Sequence, residues 1–440
     1  MSLSLAGLKV FIRTFGCQMN ENDSEHVAGL LTTAGAVEVA SPEEADIVVV
    51  NTCAVRRKSE EKLYSYLGRL ARLKKKRRFL LGVAGCVAQV RQAELVEQLP
   101  CVDFVVGPDN YLDLTGIVER AAEAPVVRAG FDHDWREIGE AATRRENRWS
   151  AFVPVMEGCD NFCAYCIVPF SRGREKFRPR RLILEEVRDA VQAGALEVQL
   201  LGQNVNAYRD PESGHGFGAL LEAVSAVPGV EWVRFITSHP KNFRPDIIEA
   251  MAASPQVCQA LHLPVQSGSS RVLERMNRGY GREDYLALVA RLRRLMPGLL
   301  LMTDVIVGFP SETEEDFEET CRLLREVRFA GLFSFRYSPR PLTAAAAGPD
   351  DVPLEVKRRR LIELQALQKS IQAEILGSFV GRDLRVLGTG TSPKGGGRFS
   401  GRTAGNLVVN FEAAADPIGR FVTVRITGSG PYSLHGSLME

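Results

Sequence analysis

The stretch Glu157-Gly158-Cys159-Asp160-Asn161-Phe162-Cys163-Ala164-Tyr165-Cys166 sets three thiols in one loop, directly behind an apolar run over residues 151–157 that reads as a strand. Further runs of this kind follow at 197–202, 232–237, 260–264, 299–306 and 332–337, each separated from the next by a segment of helical spacing. Six β/α units in series predict a partial or full barrel. Its chemistry belongs at the C-terminal ends of the strands, which is where the three thiols stand.

Such a loop can wrap one metal cluster. A 4Fe-4S cluster takes four ligands, usually four thiolates. Three here would leave one iron open to a cofactor or substrate, by the logic that leaves an open position in catalytic metal sites. A structural zinc site is the plain alternative. It usually pairs Cys-x-x-Cys with a second such knuckle or with histidines, and no Cys or His lies close enough in sequence to complete one.

Working outward, the first third alternates short apolar runs (9–14, 47–51, 79–84) with helical segments (24–34, 57–75), which predicts a parallel α/β unit. A cysteine closely follows each run: Cys17, Cys53 and Cys86. Ligands of open α/β sheets sit at the carboxyl ends of strands, so three cysteines distant in sequence become one candidate site. Residues 126–148 are polar and without period and read as a linker. A charged helix over 354–376 leads into a Gly-rich tail with Val- and Thr-rich runs at 383–387, 406–411 and 421–426, a small all-β domain. The expected organisation is an α/β domain (1–125), a linker (126–148), a barrel (149–376) and a β-barrel (377–440). Cys101, Cys258 and Cys321 fall in no motif and read as packing.

The totals fit this plan. A chain of 440 residues exceeds the roughly 250–300 at which one core stops growing. No apolar run approaches the ~20 residues that cross a bilayer, and residues 1–7 lack the basic start and apolar stretch of a secretory signal. A cytoplasmic protein with reduced cysteines is expected, and nine cysteines then point to metal or catalysis rather than disulfides. With 55 Lys plus Arg against 54 Asp plus Glu, the net charge of +1 excludes global attraction to nucleic acid. Any RNA contact must be local: Lys74 to Arg78, or the alternating Arg172, Arg174, Lys176, Arg178, Arg180 and Arg181.

Cys-x-x-x-Cys-x-x-Cys behind the first strand of a barrel resembles the radical S-adenosylmethionine superfamily. The resemblance implies that the open iron binds the amino and carboxylate groups of S-adenosylmethionine, with Tyr165 at the position whose backbone meets adenine. Thr14-Phe15-Gly16-Cys17-Gln18-Met19-Asn20, Asn51-Thr52-Cys53-Ala54-Val55-Arg56 and Gly85-Cys86-Val87-Ala88-Gln89 narrow it to the methylthiotransferases. There the matching cysteines carry a second 4Fe-4S cluster, which assigns Cys17, Cys53 and Cys86 that role. The match continues through Leu200 to Tyr208, Thr237 to Pro240, Leu261 to Ser269 and Thr303 to Pro310. These loops offer Gln203, His239, Gln266 and Gly308 as contacts to cofactor or substrate. Two of the segments, Asn51 to Arg56 and Gly202 to Tyr208, look most like the branch acting on N6-isopentenyladenosine in tRNA, next to the anticodon. The tail, with Gly401-Arg402-Thr403, resembles the TRAM domain, whose barrel suits RNA, and marks Arg402 as a contact. One position departs from the pattern: Leu342 stands where the family has Gly. The resemblance implies a monomeric transferase that needs an electron donor such as flavodoxin or ferredoxin and a sulfur source, with no membrane role. Two rival readings stand beside it: a methylthiotransferase acting on another tRNA nucleoside or on a ribosomal protein, and, from a different class, an RNA-binding iron–sulfur sensor without turnover.

Overall fold

The computed structural model describes residues 5–132, 134–135, 144–145, 147–392 and 397–439. Strand β1 (Lys9–Phe15) runs through Gly16 and Cys17 into helix α1 (Gln18–Thr33). Then come β2 (Val37–Glu38), β3 (Ile47–Thr52), α2 (Arg57–Lys74), β4 (Leu80–Ala84), α3 (Cys86–Arg91), α4 (Glu94–Gln98), β5 (Phe104–Val106), α5 (Leu114–Ala121) and β6 (Val126–Arg128). All six strands are parallel, in the order β2-β1-β3-β4-β5-β6. Every residue of β3 is buried, because helices cover both faces of the sheet. Leu63, Leu67 and Leu70 of α2 recur at helical spacing and pack with Val87 and Leu95 on one face. Val27 and Leu31 of α1, with Ile117 and Val118 of α5, cover the other. Strand order reverses between β1 and β3, and at such a switch point an open α/β sheet leaves its ligand crevice. Cys17 and Cys53 follow those two strands.

The first helix begins at Gln18 rather than at 24, its polar opening turn having hidden the start. The strands β2, β5 and β6 are too short to show a period. Val126–Arg128, expected in the linker, is the sheet's edge strand and pairs with Phe104–Val106. Residues 133, 136–143 and 146 of that expected linker lie outside the described residues. Of its remainder, Arg144 pairs with Glu38 of the first domain at 2.8 Å and Arg145 with Glu186 of the second at 2.9 Å.

The second unit contains β7 (Ser150–Pro154), β8 (Met156–Glu157), α6 (Val168–Ser171), β9 (Lys176–Phe177), α7 (Arg180–Gln192), β10 (Glu197–Leu201), α8 (Phe217–Ser225) and β11 (Trp232–Phe235). It continues with α9 (Pro245–Ala253), β12 (Ala260–His262), α10 (Ser270–Arg275), α11 (Arg282–Leu295), β13 (Leu300–Val307), α12 (Glu314–Val327), β14 (Gly331–Arg336) and α13 (Leu354–Gly377). The six expected strands form two parallel sets, β11-β10-β7 and β12-β13-β14, linked by a bridge from Val233 to Val257. No ladder joins β7 to β14 among the described residues, so the barrel is partial. Along β13, Leu301, Thr303, Val305 and Val307 are buried while Met302, Asp304 and Ile306 line the less buried face, the two-residue period of a strand. Helix α12 starts on a capping box in which Thr313 and Asp316 satisfy each other's backbone N–H.

In the tail, β15 (Asp383–Thr391), β16 (Arg398–Thr403), β17 (Val408–Glu412), β18 (Phe421–Ser429) and β19 (Leu434–Leu438) close into a barrel of order β15-β16-β17-β19-β18. It seats on the strand-start end of the partial barrel. Arg234 of β11 donates to the carbonyls of Ala404 (3.0 Å) and Thr403 (2.7 Å), and Trp232 packs edge-on against Phe421 at 4.7 Å. The cysteine loop occupies the opposite end. No helix among the described residues is long and apolar enough to cross a membrane.

A candidate active site with two thiol sets

At the first-domain switch point the chain ends of β1 and β3 are tied by two buried amides. Asn20 Nδ2 donates to Asn51 Oδ1 at 3.1 Å, and Asn51 Nδ2 donates to the Asn20 carbonyl at 2.9 Å. This pair holds Cys17, the N-cap of α1, beside Cys53. A hydrogen bond from Cys53 draws the Cys17 thiol down to about 6, helped by Asn20 and Arg172, while that shared proton and burial push Cys53 well up. The Cys53 sulfur accepts the Val55 N–H at 3.4 Å. Cys86 is buried at the start of α3, its thiol pushed up by burial, and accepts from Arg172 Nε at 3.2 Å.

The second-domain loop is shaped by close backbone approach. Gly158 has φ +78, and a Cβ there would lie 2.0 Å from the Arg174 carbonyl oxygen. Its N–H donates to Gln203 Oε1 at 2.6 Å, and the Cys159 N–H donates to the Gly173 carbonyl at 3.2 Å. Burial raises Cys159 to about 11 and Cys166 to about 12. Asn161 Nδ2 lies 3.6 Å from the Cys159 sulfur, and the Val168 N–H donates to Cys166 at 3.5 Å. Cys163 meets Arg278 Nη1 at 3.3 Å and His239 Nε2 at 3.9 Å. Burial, with Arg278 and Lys241 nearby, lowers His239 to about 2, so its ring is neutral. Because Nδ1 accepts the Lys241 N–H, the proton sits on Nε2, facing the sulfur.

Of the other expected contacts, Tyr165 receives Arg278 Nη1 on its hydroxyl at 3.3 Å and packs edge-on to Phe309. Gln203 holds the cysteine loop, as described. Gln266 bridges β13 through its backbone at φ +76. Gly308 has φ +68, donates its N–H to Glu312 at 2.6 Å, and has no room for a Cβ beside Lys357. Sequence reasoning missed Arg278. It is buried among Cys163, Tyr165, Tyr280 and the Pro264 carbonyl and sets a full positive charge against the Cys163 sulfur, and only the turn-forming Asn277-Arg278-Gly279 marked it.

The expected RNA contacts divide. Arg172, Lys176 and Arg178 are corrected: each is buried and paired with carboxylates, Arg172 with Asp23 and Glu157, Lys176 with Asp109 at 2.6 Å, and Arg178 with Glu186. A phosphate cannot reach them without breaking those pairs. Arg174 is exposed and pairs with Asp160 at 2.8 Å; Arg402 is exposed beside Asn406. Lys74 and Arg77 are likewise tied to Asp103 and Asp46, leaving Lys75, Lys76 and Arg78 exposed.

The two thiol sets adjoin. Helices α3 and α6, which follow Cys86 and Cys166, are packed together, and Ile167 enters the first domain's core. No three His, Cys, Asp or Glu side chains among the described residues are grouped as ligands of a single ion. A 4Fe-4S cluster instead spreads its cysteines over separate irons, and the donors fit that use: the six sulfurs accept N–H groups from backbone or side chains, the environment of a cluster thiolate. Among the buried polar atoms without a partner, some belong to Thr52, Gln89 and Tyr111 near the first set and to Asn204 and Ser238 on the barrel loops, while others, at Ser225 and Gln368, lie elsewhere. Such orphans are rare in folded proteins, and a bound group is one way to satisfy those near the thiols.

Three family models cover most of the chain: uncharacterized protein family UPF0004 at residues 9–107, the Radical SAM superfamily at 153–324 and the TRAM domain at 377–439. A tRNA-2-methylthio-N6-dimethylallyladenosine synthase of Geobacter metallireducens is 47% identical over 98% of this chain and 98% of its own. The chain belongs to this synthase family. Other members include that of Geobacter sulfurreducens, 48% identical over 98% of the chain and 97% of its own, and that of Aquifex aeolicus, 43% identical over 98% and 99%. Among solved structures, the radical S-adenosylmethionine methyltransferase TsrM of Kitasatospora setae aligns with TM-score 0.56 at 14% identity, covering 77% of each chain. The cobalamin-dependent enzyme OxsB aligns at 0.53 and 12%, covering 83% of this chain and 56% of its own. At such identities these two share the fold alone with the family.

Proposed function

We propose that this chain is a tRNA-modifying transferase that replaces the C2 hydrogen of N6-isopentenyladenosine, next to the anticodon, with a methylthio group. Cys159, Cys163 and Cys166 would hold one 4Fe-4S cluster, the one that serves S-adenosylmethionine, and Cys17, Cys53 and Cys86 would hold the second. The observation that carries this is the pair of thiol sets at the strand ends of two adjoining α/β domains, in a chain alike over its whole length to synthases of that name. When bound, these groups supply the electron, the radical and the methylthio sulfur needed at an adenine carbon that no side-chain base can deprotonate.

The chain's own residues hold and shield. Gln203 fixes the start of the cysteine loop through Gly158, while Arg278 and the Nε2–H of neutral His239 stabilise charge on Cys163. Tyr165, Gln266 and Gly308 line the cofactor's side of the barrel mouth. Apolar packing of Ile167 and Phe170 against the first domain excludes water between the two sets. Arg174 and Arg402, with the exposed Lys75, Lys76 and Arg78, are the remaining candidates to meet tRNA phosphates. The strands between the tail barrel and the loops are about five residues long, so RNA touching both ends spans on the order of 17 Å. A flavodoxin- or ferredoxin-type electron donor and a sulfur source complete turnover, and the chain acts as a cytoplasmic monomer.

Mass spectrometry of nucleosides from tRNA incubated anaerobically with reconstituted protein, S-adenosylmethionine, sulfide and reductant tests this. The parent yields 2-methylthio-N6-isopentenyladenosine and Cys17→Ala does not. Release of 5′-deoxyadenosine without that nucleoside would keep a radical enzyme and remove the assigned substrate. No cleavage under strong reduction would favour a sensor.

A further inference from the structure

We propose that Arg172 is a positioning residue through which the barrel domain tunes the first-domain cluster, acting across the domain boundary on Cys86. This rests on Cys17, Cys53 and Cys86 holding a cluster. Arg172 stands six residues beyond Cys166, with its side chain 2% exposed. Its Nε donates to the Cys86 sulfur at 3.2 Å, both terminal nitrogens reach Asp23 of α1, and Nη1 also meets Glu157 Oε1 at 3.4 Å. The adjacent Gly173 carbonyl accepts the Cys159 N–H at 3.2 Å. One dipeptide thus touches a thiol of the first set and the backbone of a cysteine in the second.

Charge neutralisation alone does not call for this geometry. Asp23 and Glu157 already outnumber the guanidinium, and either could take it without the sulfur. The planar fork of arginine lets one edge bind a carboxylate while Nε points elsewhere, which the single ammonium of lysine cannot copy. An N–H and a full positive charge beside a cluster thiolate favour the reduced form, the more negative one, and so raise its potential. Asp23 and Glu157 act in the opposite sense. The potential of the first-domain cluster is therefore set partly by residues of the other domain, and proper docking of the domains is a condition for it.

The test uses the full chain with Cys159, Cys163 and Cys166 all changed to Ala, so that only the first-domain site loads iron and sulfide, and follows its midpoint potential by electron paramagnetic resonance during redox titration. Arg172→Gln is expected to shift the potential downward and Arg172→Lys to recover part of that shift. Glu157→Gln keeps the guanidinium, removes an opposing charge and is expected to shift it upward. An unmoved potential in Arg172→Gln overturns the proposal and leaves Arg172 a strut between domains. Should that variant take up no iron, Glu157→Gln decides: an upward shift supports the proposal and an unmoved potential overturns it. A parent that loads no cluster here overturns the two-cluster reading itself, and the proposal with it, so the two failures are told apart.

Discussion

At the scale of single residues, the chemistry lies in how each thiol is surrounded. Cys17 and Cys53 share a proton, with Cys17 lowered to about 6 and Cys53 raised. In iron-free protein the Cys17 thiolate therefore forms as pH rises through about 6, whereas Cys159 and Cys166 stay protonated to about 11 and 12. Brief alkylation at pH 7, read by peptide mass spectrometry, should label Cys17 ahead of Cys53, Cys86, Cys159 and Cys166; equal labelling of all five would contradict the shared proton. All six candidate cysteines stood out in the sequence, because a thiol at a strand end has few other uses in a reduced compartment. The basic residues were not. Arg172 and Lys176 find their carboxylates at Asp23 and Asp109, 149 and 67 positions away, and no local pattern separates a buried ion pair from a solvated charge.

At the scale of elements, strands and long helices announced themselves by period, while turns hid their strain. Leu342 has φ +68 and is 64% exposed, a left-handed conformation that costs a Leu about 1–2 kcal/mol and a Gly almost nothing. After the extra backbone freedom of Gly in the unfolded chain is deducted, Leu342→Gly should stabilise the protein by about 0.5–1 kcal/mol, measured by chemical denaturation. An unchanged or lower stability would mean that the leucine side chain packs usefully despite its exposure. Gly158 is the converse case. Its φ of +78 and the Arg174 carbonyl leave no space for a methyl, so Gly158→Ala should displace the Cys159 N–H from Gly173 and lower iron uptake by that loop, with Cys17, Cys53 and Cys86 still loading. Metal analysis checks it, and full uptake at both sites would contradict it.

For the whole molecule, composition and motif order gave three folding units, but not how they face each other. The tail barrel seats on the strand-start end through Arg234, Trp232 and Phe421, and the first domain meets the cysteine loop through buried ion pairs. Such contacts depend on shape and on residues far apart in sequence, which period and spacing do not record. Lys176 and Asp109 are both nearly inaccessible, so Lys176→Met strands a buried carboxylate and should cost about 3–5 kcal/mol. Calorimetry should then show the first domain melting apart from the barrel; a single unshifted transition would mean that the pair does not hold the domains. The most direct test of two separate cluster sites in one chain is the iron content of three reconstituted proteins: the parent, the Cys17, Cys53 and Cys86 triple Ala variant, and the Cys159, Cys163 and Cys166 triple Ala variant. About eight irons per chain in the parent and about four in each variant is the expected result, and a parent with only about four, or a triple variant that still holds eight, would contradict it.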